Sequence, residues 1–362
     1  MSYETENVLP SGVRQEDVAE VLGLLGYVRR ISPRSRPLSL WWQPRATCIY
    51  DWFEERDYRS YTGVACAIVP LRSRLAARTR TSMARSHWDL VHQNRTARLL
   101  RKYLGGYFTS DIGKNRCWRE DTKPPHPAEA GCHLAFERFG SNLFLVRSYL
   151  DRRAFRSDLG PYGVPLAKIF SAPHVLANNL LLPFLVSAVE DYFRSAYVAL
   201  LRYSPRRDAI LRGARISGDP LVGMAEGGRT VESTIAETIS FQSISSVCSS
   251  FRSLDSSLDF ARELKRPYRR RKIALFDALT ALVSDRHRLV HRATLAENLD
   301  DARIEQCFDL AEQAVTRCHL SIFHVYGWEP DPGWTRNLFD AGHRRRMAKQ
   351  RAAVRRLTRN QP

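Results

Sequence analysis

This chain reads as mainly α, with an antiparallel helical bundle in its C-terminal half preceded by a smaller α+β domain. The division follows from where apolar residues recur. Between residues 184 and 326 they repeat at helical spacing in four stretches, whereas between 41 and 150 helical runs alternate with short strand-like ones. A Gly/Pro-punctuated segment, residues 158–165, separates the two regimes. The domains are therefore placed at 1–40 (a helix and linker), 41–165 (α+β), 166–328 (the bundle) and 329–362 (a basic tail).

Residues 14–29 have the pattern of a short amphipathic helix, and a Pro/Ser/Arg linker follows at 31–37. Residues 65–69 read as a strand and 88–103 as a helix that Gly105 and Gly106 stop. Residues 107–109 and 133–139 read as strands flanking a Pro-rich loop at 123–127. In the bundle region the first long helix spans 184–203, where Val186, Val189, Phe193, Ala196, Tyr197 and Leu200 share a stripe. Glu190 falls on or beside that stripe, where a carboxylate needs a partner because an unpaired buried charge is costly. A second helix is expected over 234–262, with Phe241, Ile244, Cys248, Phe251 and Leu258 in one row. The third contains residues 286–291, held against the others by Val283 and Val290, and the fourth covers 300–326.

A hydrophobic content of 44% makes the 362-residue chain globular rather than disordered, with enough length for two domains. Lys+Arg 56 against Asp+Glu 38 leaves a net charge of +18, which points first to a polyanionic partner such as a nucleic acid. A genome that favours arginine codons would produce the same excess, and composition alone leaves that open. Seven cysteines, an odd number without a C-x-x-C pair, argue for reduced thiols and a cytoplasmic setting rather than a disulfide framework or zinc knuckle. Residues 1–6 lack a basic stretch leading into an apolar core, so no signal peptide is expected. The most apolar window, 175–189, is short and interrupted by Asn178, Asn179 and Pro183, so no membrane span is expected either.

Chemistry concentrates in the third bundle helix, where Arg286 and His291 stand four intervening residues apart with His287 and Arg288 between them. Arginine keeps its charge and grips phosphate with a planar fork, and histidine exchanges protons near neutrality. An RNA backbone can be cleaved with those two functions. On an ideal helix the five-residue step places Arg286 and His291 about 140° apart, flanking one broad face. His287 and His291 share a face one turn apart. The basic corner Lys265, Arg266, Arg269, Arg270, Arg271 and Lys272 could guide the strand, and Arg288 adds a further phosphate-binding cation.

Arg286 to His291, entered through the apolar run 273–283 and followed by a long helix, resembles the R-x4-6-H motif of the HEPN superfamily. Residues 185–193, with Glu190 among apolar neighbours, resemble the first helix of its ribonuclease-like branch. The resemblance covers roughly residues 175–326. It implies a metal-independent endoribonuclease without cofactor, often a toxin or antiviral-defence effector, whose site forms where two bundles pair as a homodimer. In the enzymatic reading His291 acts as base on a ribose 2′-hydroxyl or as acid on the leaving 5′-oxygen, and Arg286 neutralises charge developing on the phosphoryl oxygens. His287 is either the second proton carrier or a substrate contact, and Glu190 orients Arg286 by a charge-assisted hydrogen bond. The N-terminal domain would sense a trigger, select RNA or restrain the nuclease, with an inhibitor or sensor as a further partner.

Other readings compete. Arg286 could be a structural ion-pair partner for Glu190 in an inactive bundle, giving a non-catalytic RNA-binding or regulatory module. The histidine pair lacks a third zinc ligand at credible spacing. His87 and His92 fit surface or core roles, and core packing suits Trp41, Trp42 and Trp52 better than base stacking.

Overall fold

The computed structural model describes residues 2–30, 45–120, 123–156, 173–216, 218–267, 273–292, 296 and 299–329. Its chain divides into two compact units, residues 1–130 and 131–362. The linker at 31–37, Trp41, Trp42, the segment 158–165, the basic residues Arg269, Arg270, Arg271 and Lys272, and the tail beyond Glu329 lie outside the described residues.

The first unit is built on an antiparallel seven-stranded sheet: β1 (Ser2–Val8), β2 (Val28–Arg29), β3 (Cys48–Trp52), β4 (Val64–Pro70), β5 (Leu75–Ser82), β6 (Tyr107–Ser110) and β7 (Gly113–Lys114). The spatial order is β2-β3-β4-β5-β1-β6-β7, so the first strand of the chain lies inside the sheet between β5 and β6. Residues 1–40 are therefore not a separate helix and linker. β1 alternates, but its inward residues Thr5 and Asn7 are polar, which removes the apolar signal of a strand. Helix α1 (Gln15–Leu24) packs on α2 (His87–Leu104), and α2 covers one sheet face.

That face is held by polar side chains as well as by Leu22, Cys66, Ile68 and Leu100. Asn7 donates to Ala97 O at 2.8 Å, and Gln93 Nε2 donates to Tyr3 O and Thr79 O at 3.0 and 3.2 Å. At the start of α2, buried Asp89 accepts from the backbone N–H groups of Tyr61, Thr62 and Ser86, while Ser86 caps the helix. Beyond Gly105 the chain turns at Gly106, where φ is +79° and a Cβ would stand 2.1 Å from Val8 O. Only glycine fits there.

The second unit is helical: α3 (Pro127–Arg156), α4 (Pro173–Tyr203), α5 (Arg207–Gly213), α6 (Gly218–Ala225), α7 (Val231–Glu237), α8 (Ile244–Leu254), α9 (Phe260–Lys265), α10 (Leu275–Arg292) and α11 (Asp301–Tyr326). The chain is mainly α with an N-terminal antiparallel sheet. Residues 133–139, expected as a strand, lie inside α3, because Cys132, Ala135, Phe136, Phe139, Leu143 and Val146 form one buried helical row. Most of α3 belongs to the helical unit, so the division falls at Ala130/Gly131 rather than in 158–165.

The helix expected over 234–262 is three short ones. Ser243 and Asp259 cap new starts within the run, accepting from the N–H groups of Ser246 and Arg262, while Phe241, Ile244, Cys248, Phe251 and Leu258 are all buried as expected. Cys132 beside Ala196, Phe136 beside Tyr192 and Arg138 beside Asp191 set α3 antiparallel to α4, and Phe136 beside His319 with Arg147 beside Glu312 sets it antiparallel to α11. α10 packs against α4 and α11. All seven cysteines are free thiols. Among the described residues no helix is long and apolar enough to cross a membrane.

Candidate active site

Helix α10 is anchored by Leu275, Leu279 and Leu282, all buried. Arg286 comes four residues after Leu282 and continues that row, so a cation occupies the next core-facing position of the helix. It is half-buried, and its Nε is sealed without a hydrogen-bond partner among the described residues. The anchoring role expected of Val290 is not seen: it is 49% exposed, because it lies at the end of α10 beyond the leucine row. Val283 is half-buried beside that row.

Glu190 reaches the same place from α4. It too is half-buried, with Oε1 sealed and lacking a hydrogen-bond partner among the described residues. Burial raises the pKa of its carboxyl, against the opposing pull of Arg286, then Arg194, then the side chain of Gln242. Glu190 thus feels the charge of Arg286 across the α4–α10 contact, although the sealed atoms Nε and Oε1 remain unbonded among the described residues.

His287 and His291 occupy the exposed side of α10, with ring centroids 4.2 Å apart and planes tilted by 42°. Arg288, also exposed, forms an ion pair with Asp285 one turn back. The fold therefore brings the expected residues together as two pairs on different faces of one helix: Arg286 with Glu190 toward the packed helices, and His287 with His291 toward solvent.

Sequence reading missed two residues that hold the chain following this helix. Buried Asn178 donates to Leu299 O at 2.9 Å and to Asp301 Oδ1 at 3.0 Å. Its neighbour Asn179 exchanges two hydrogen bonds with the backbone of Ala296, at 2.8 and 3.1 Å. These amides tie the start of α4 to the chain between α10 and α11, a few residues beyond His291. In the sequence they register only as polar interruptions of an apolar window.

The other candidates are structural. His92 is buried and stacked on Trp52, with ring centroids 3.6 Å apart, and burial followed by Arg95 lowers its pKa to about 3, so it stays neutral. His87 stands 3.8 Å from Glu120. No group of three or more His, Cys, Asp or Glu that could hold a metal ion exists among the described residues. Comparison of the chain with family models, with curated proteins and with solved structures gives no match.

Proposed function

We propose that this protein is a metal-independent endoribonuclease of HEPN type that cuts single-stranded RNA in the cytoplasm as a toxin or defence effector. The observation that carries the reading is the placement of Arg286 opposite Glu190 with His287 and His291 exposed on the same helix. In this reading the bundle is a HEPN bundle, and two copies pair through α10. Arg286 and the histidines occupy different faces within one chain, so pairing is what would complete a cleft.

The chemistry uses no cofactor. A neutral imidazole, His291, takes the proton of a ribose 2′-hydroxyl as the oxygen attacks phosphorus. The bond from phosphorus to the 5′-oxygen breaks, and the leaving oxygen receives a proton from the protonated partner, His287. The products are a 2′,3′-cyclic phosphate and a free 5′-hydroxyl. Arg286 offsets charge developing on the phosphoryl oxygens, and Glu190 limits its rotation. Arg288 and the segment Arg269, Arg270, Arg271 and Lys272 hold the flanking phosphates.

The test is cleavage of labelled single-stranded RNA by purified full-length protein in EDTA. His291→Ala is expected to lower the rate by about 10²–10⁴-fold and Arg286→Ala by about 10²–10³-fold, with circular dichroism unchanged. Undiminished cutting in both variants removes the site. A second reading, a non-catalytic RNA-binding or regulatory module, is favoured by the half-burial of Arg286 against Glu190, which suits a structural pair. It predicts intact RNA after long incubation and no relief of expression toxicity by His291→Ala.

A further inference from the structure

We infer that the sheet unit carries its own binding site for single-stranded nucleic acid, in a groove beside α2. The groove is open, encloses about 650 Å³, and is lined by Val91, Leu99, Tyr103 and Trp118 together with Arg95 and Arg98. Its volume lies within the range of roughly 300–1,000 Å³ typical of ligand clefts. It combines flat aromatic surface with cations that no acid among the described residues neutralises, the two elements that hold an unpaired strand irrespective of sequence.

Trp118 is a built platform rather than a loose surface ring. Its backbone N–H donates to Asn94 Oδ1 at 3.1 Å, its carbonyl accepts from Asn94 Nδ2 at 2.8 Å, and its indole Nε1 donates to Glu4 O at 3.2 Å. Tyr3 meets it edge-on at 5.0 Å. A base stacking there would meet an aromatic ring that is already ordered, so little conformational freedom is given up on binding. Tyr103, 63% exposed, presents a second ring in the groove's lining.

The charge is one-sided. Arg95 and Arg98 are exposed and have no carboxylate within 4.0 Å among the described residues; Arg98 Nε donates only to Cys117 Sγ, at 3.1 Å. Arg101, Lys102, Arg116 and Arg119 extend the basic surface along α2 and the loop that carries Trp118, all exposed and without ion pairs among the described residues. The carboxylate in the lining, Glu120, is already bound by Arg85 at 2.7 Å and approached by His87 at 3.8 Å. Phosphates spaced along a strand can match such a row, while stacked bases fill the apolar floor.

The probe is a fluorescein-labelled 2′-deoxyoligothymidine of roughly 15 nucleotides, bound by the full-length protein and followed by anisotropy. It lacks the 2′-hydroxyl that the proposed cleavage uses, so its binding stands or falls independently of the nuclease reading. Arg95→Glu with Arg98→Glu is expected to weaken binding at least tenfold. The same pair should flatten the dependence of log affinity on log salt by about 1.4, since each phosphate left unneutralised removes about 0.7. Tyr103→Ala, at an exposed position where folding is not at stake, is expected to cost about fivefold or more, and Trp118→Ala about tenfold. Photocrosslinking with 5-iodo-deoxyuridine should label Trp118 or Tyr103.

Arg212→Glu with Arg215→Glu, two exposed arginines of the helical unit, changes net charge equally and should leave affinity within twofold. The proposal is overturned if the groove variants bind like the parent, if the control pair weakens binding as much as the groove pair, or if crosslinks fall only outside residues 91–120. It is overturned in favour of an acidic protein partner if polyglutamate, and not the oligonucleotide, loses binding in Arg95→Glu with Arg98→Glu.

Discussion

Two guanidinium–carboxylate pairs in the helical unit show how differently the same chemistry can be used. Arg147 of α3 donates to Glu312 at 2.7 Å and to Asp309 at 2.9 Å, and the Glu312 side chain is 1% exposed. Arg286 stands close enough to favour the ionised form of Glu190, yet Nε of one and Oε1 of the other are sealed and unbonded among the described residues. The first pair clamps α3 to α11 through short hydrogen bonds. Glu312 Oε1 is sealed in the same way, so what separates the two pairs is the short direct hydrogen bond between Arg147 and Glu312.

The largest effect is expected from breaking the directly bonded pair. Arg147→Ala removes the 2.7 Å hydrogen bond to buried Glu312 and should destabilise the helical unit by about 3–5 kcal/mol, measured by urea unfolding. Arg286→Ala should cost only about 1–2 kcal/mol, because Glu190 is half-exposed, feels Arg194 and already takes up a proton more readily than an ordinary glutamate. Equal losses in the two variants would erase the contrast and make Arg286 a clamp as well.

The histidines repeat the contrast and give the next effect in size. His319 is sealed between Phe136 and Phe323, with ring centroids at 4.1 and 4.4 Å, and burial followed by His133 lowers its pKa to about 3. The unfolded chain accepts a proton near 6.5 and the folded one resists until about 3. Stability should therefore fall as pH drops below 6.5, by about 1.4 kcal/mol per pH unit, levelling off near 3. His319→Phe should remove that slope, read from hydrogen exchange of α11 peptides at pH 7 and pH 5. The readout has to be local because His92 gives the sheet unit a slope of the same sign. His287 and His291, exposed to water, bring no burial of this kind.

These contrasts mark what the sequence could disclose. Helices α2, α4, α10 and α11 were legible because their apolar rows repeat over several turns, and the row through Val189 and Phe193 places Glu190 toward the neighbouring helices. β1 was hidden because its inward residues are Thr5 and Asn7, whose fitness depends on a hydrogen bond to Ala97, ninety positions away. α3 was mistaken for a strand because seven residues are too few to distinguish the two periods. The site was half legible. Residue types and spacing single out Arg286, His287 and His291, but which face each takes depends on the leucine row of α10, and Asn178 and Asn179 act through chain more than a hundred residues away. Trp118 escaped notice because its significance lies in its clamp by Asn94.

The smallest expected effect separates the two uses of Arg286 most sharply. Because the folded-state pKa of Glu190 is raised above 4.5, the folded protein holds a proton that the unfolded chain releases. Stability is lost as pH rises from about 4.5 through the raised value. Glu190→Gln stays neutral throughout, so its stability relative to the parent should climb across that window, by less than the changes above because solvent screens a half-exposed group. Paired urea titrations at pH 4 and pH 7 measure the difference directly. A variant that instead loses ground at pH 7 would mean that the ionised Glu190 is bound as firmly as Glu312 is by Arg147. Arg286 would then be committed to its carboxylate, and the charge available to a scissile phosphate would have to come from another residue.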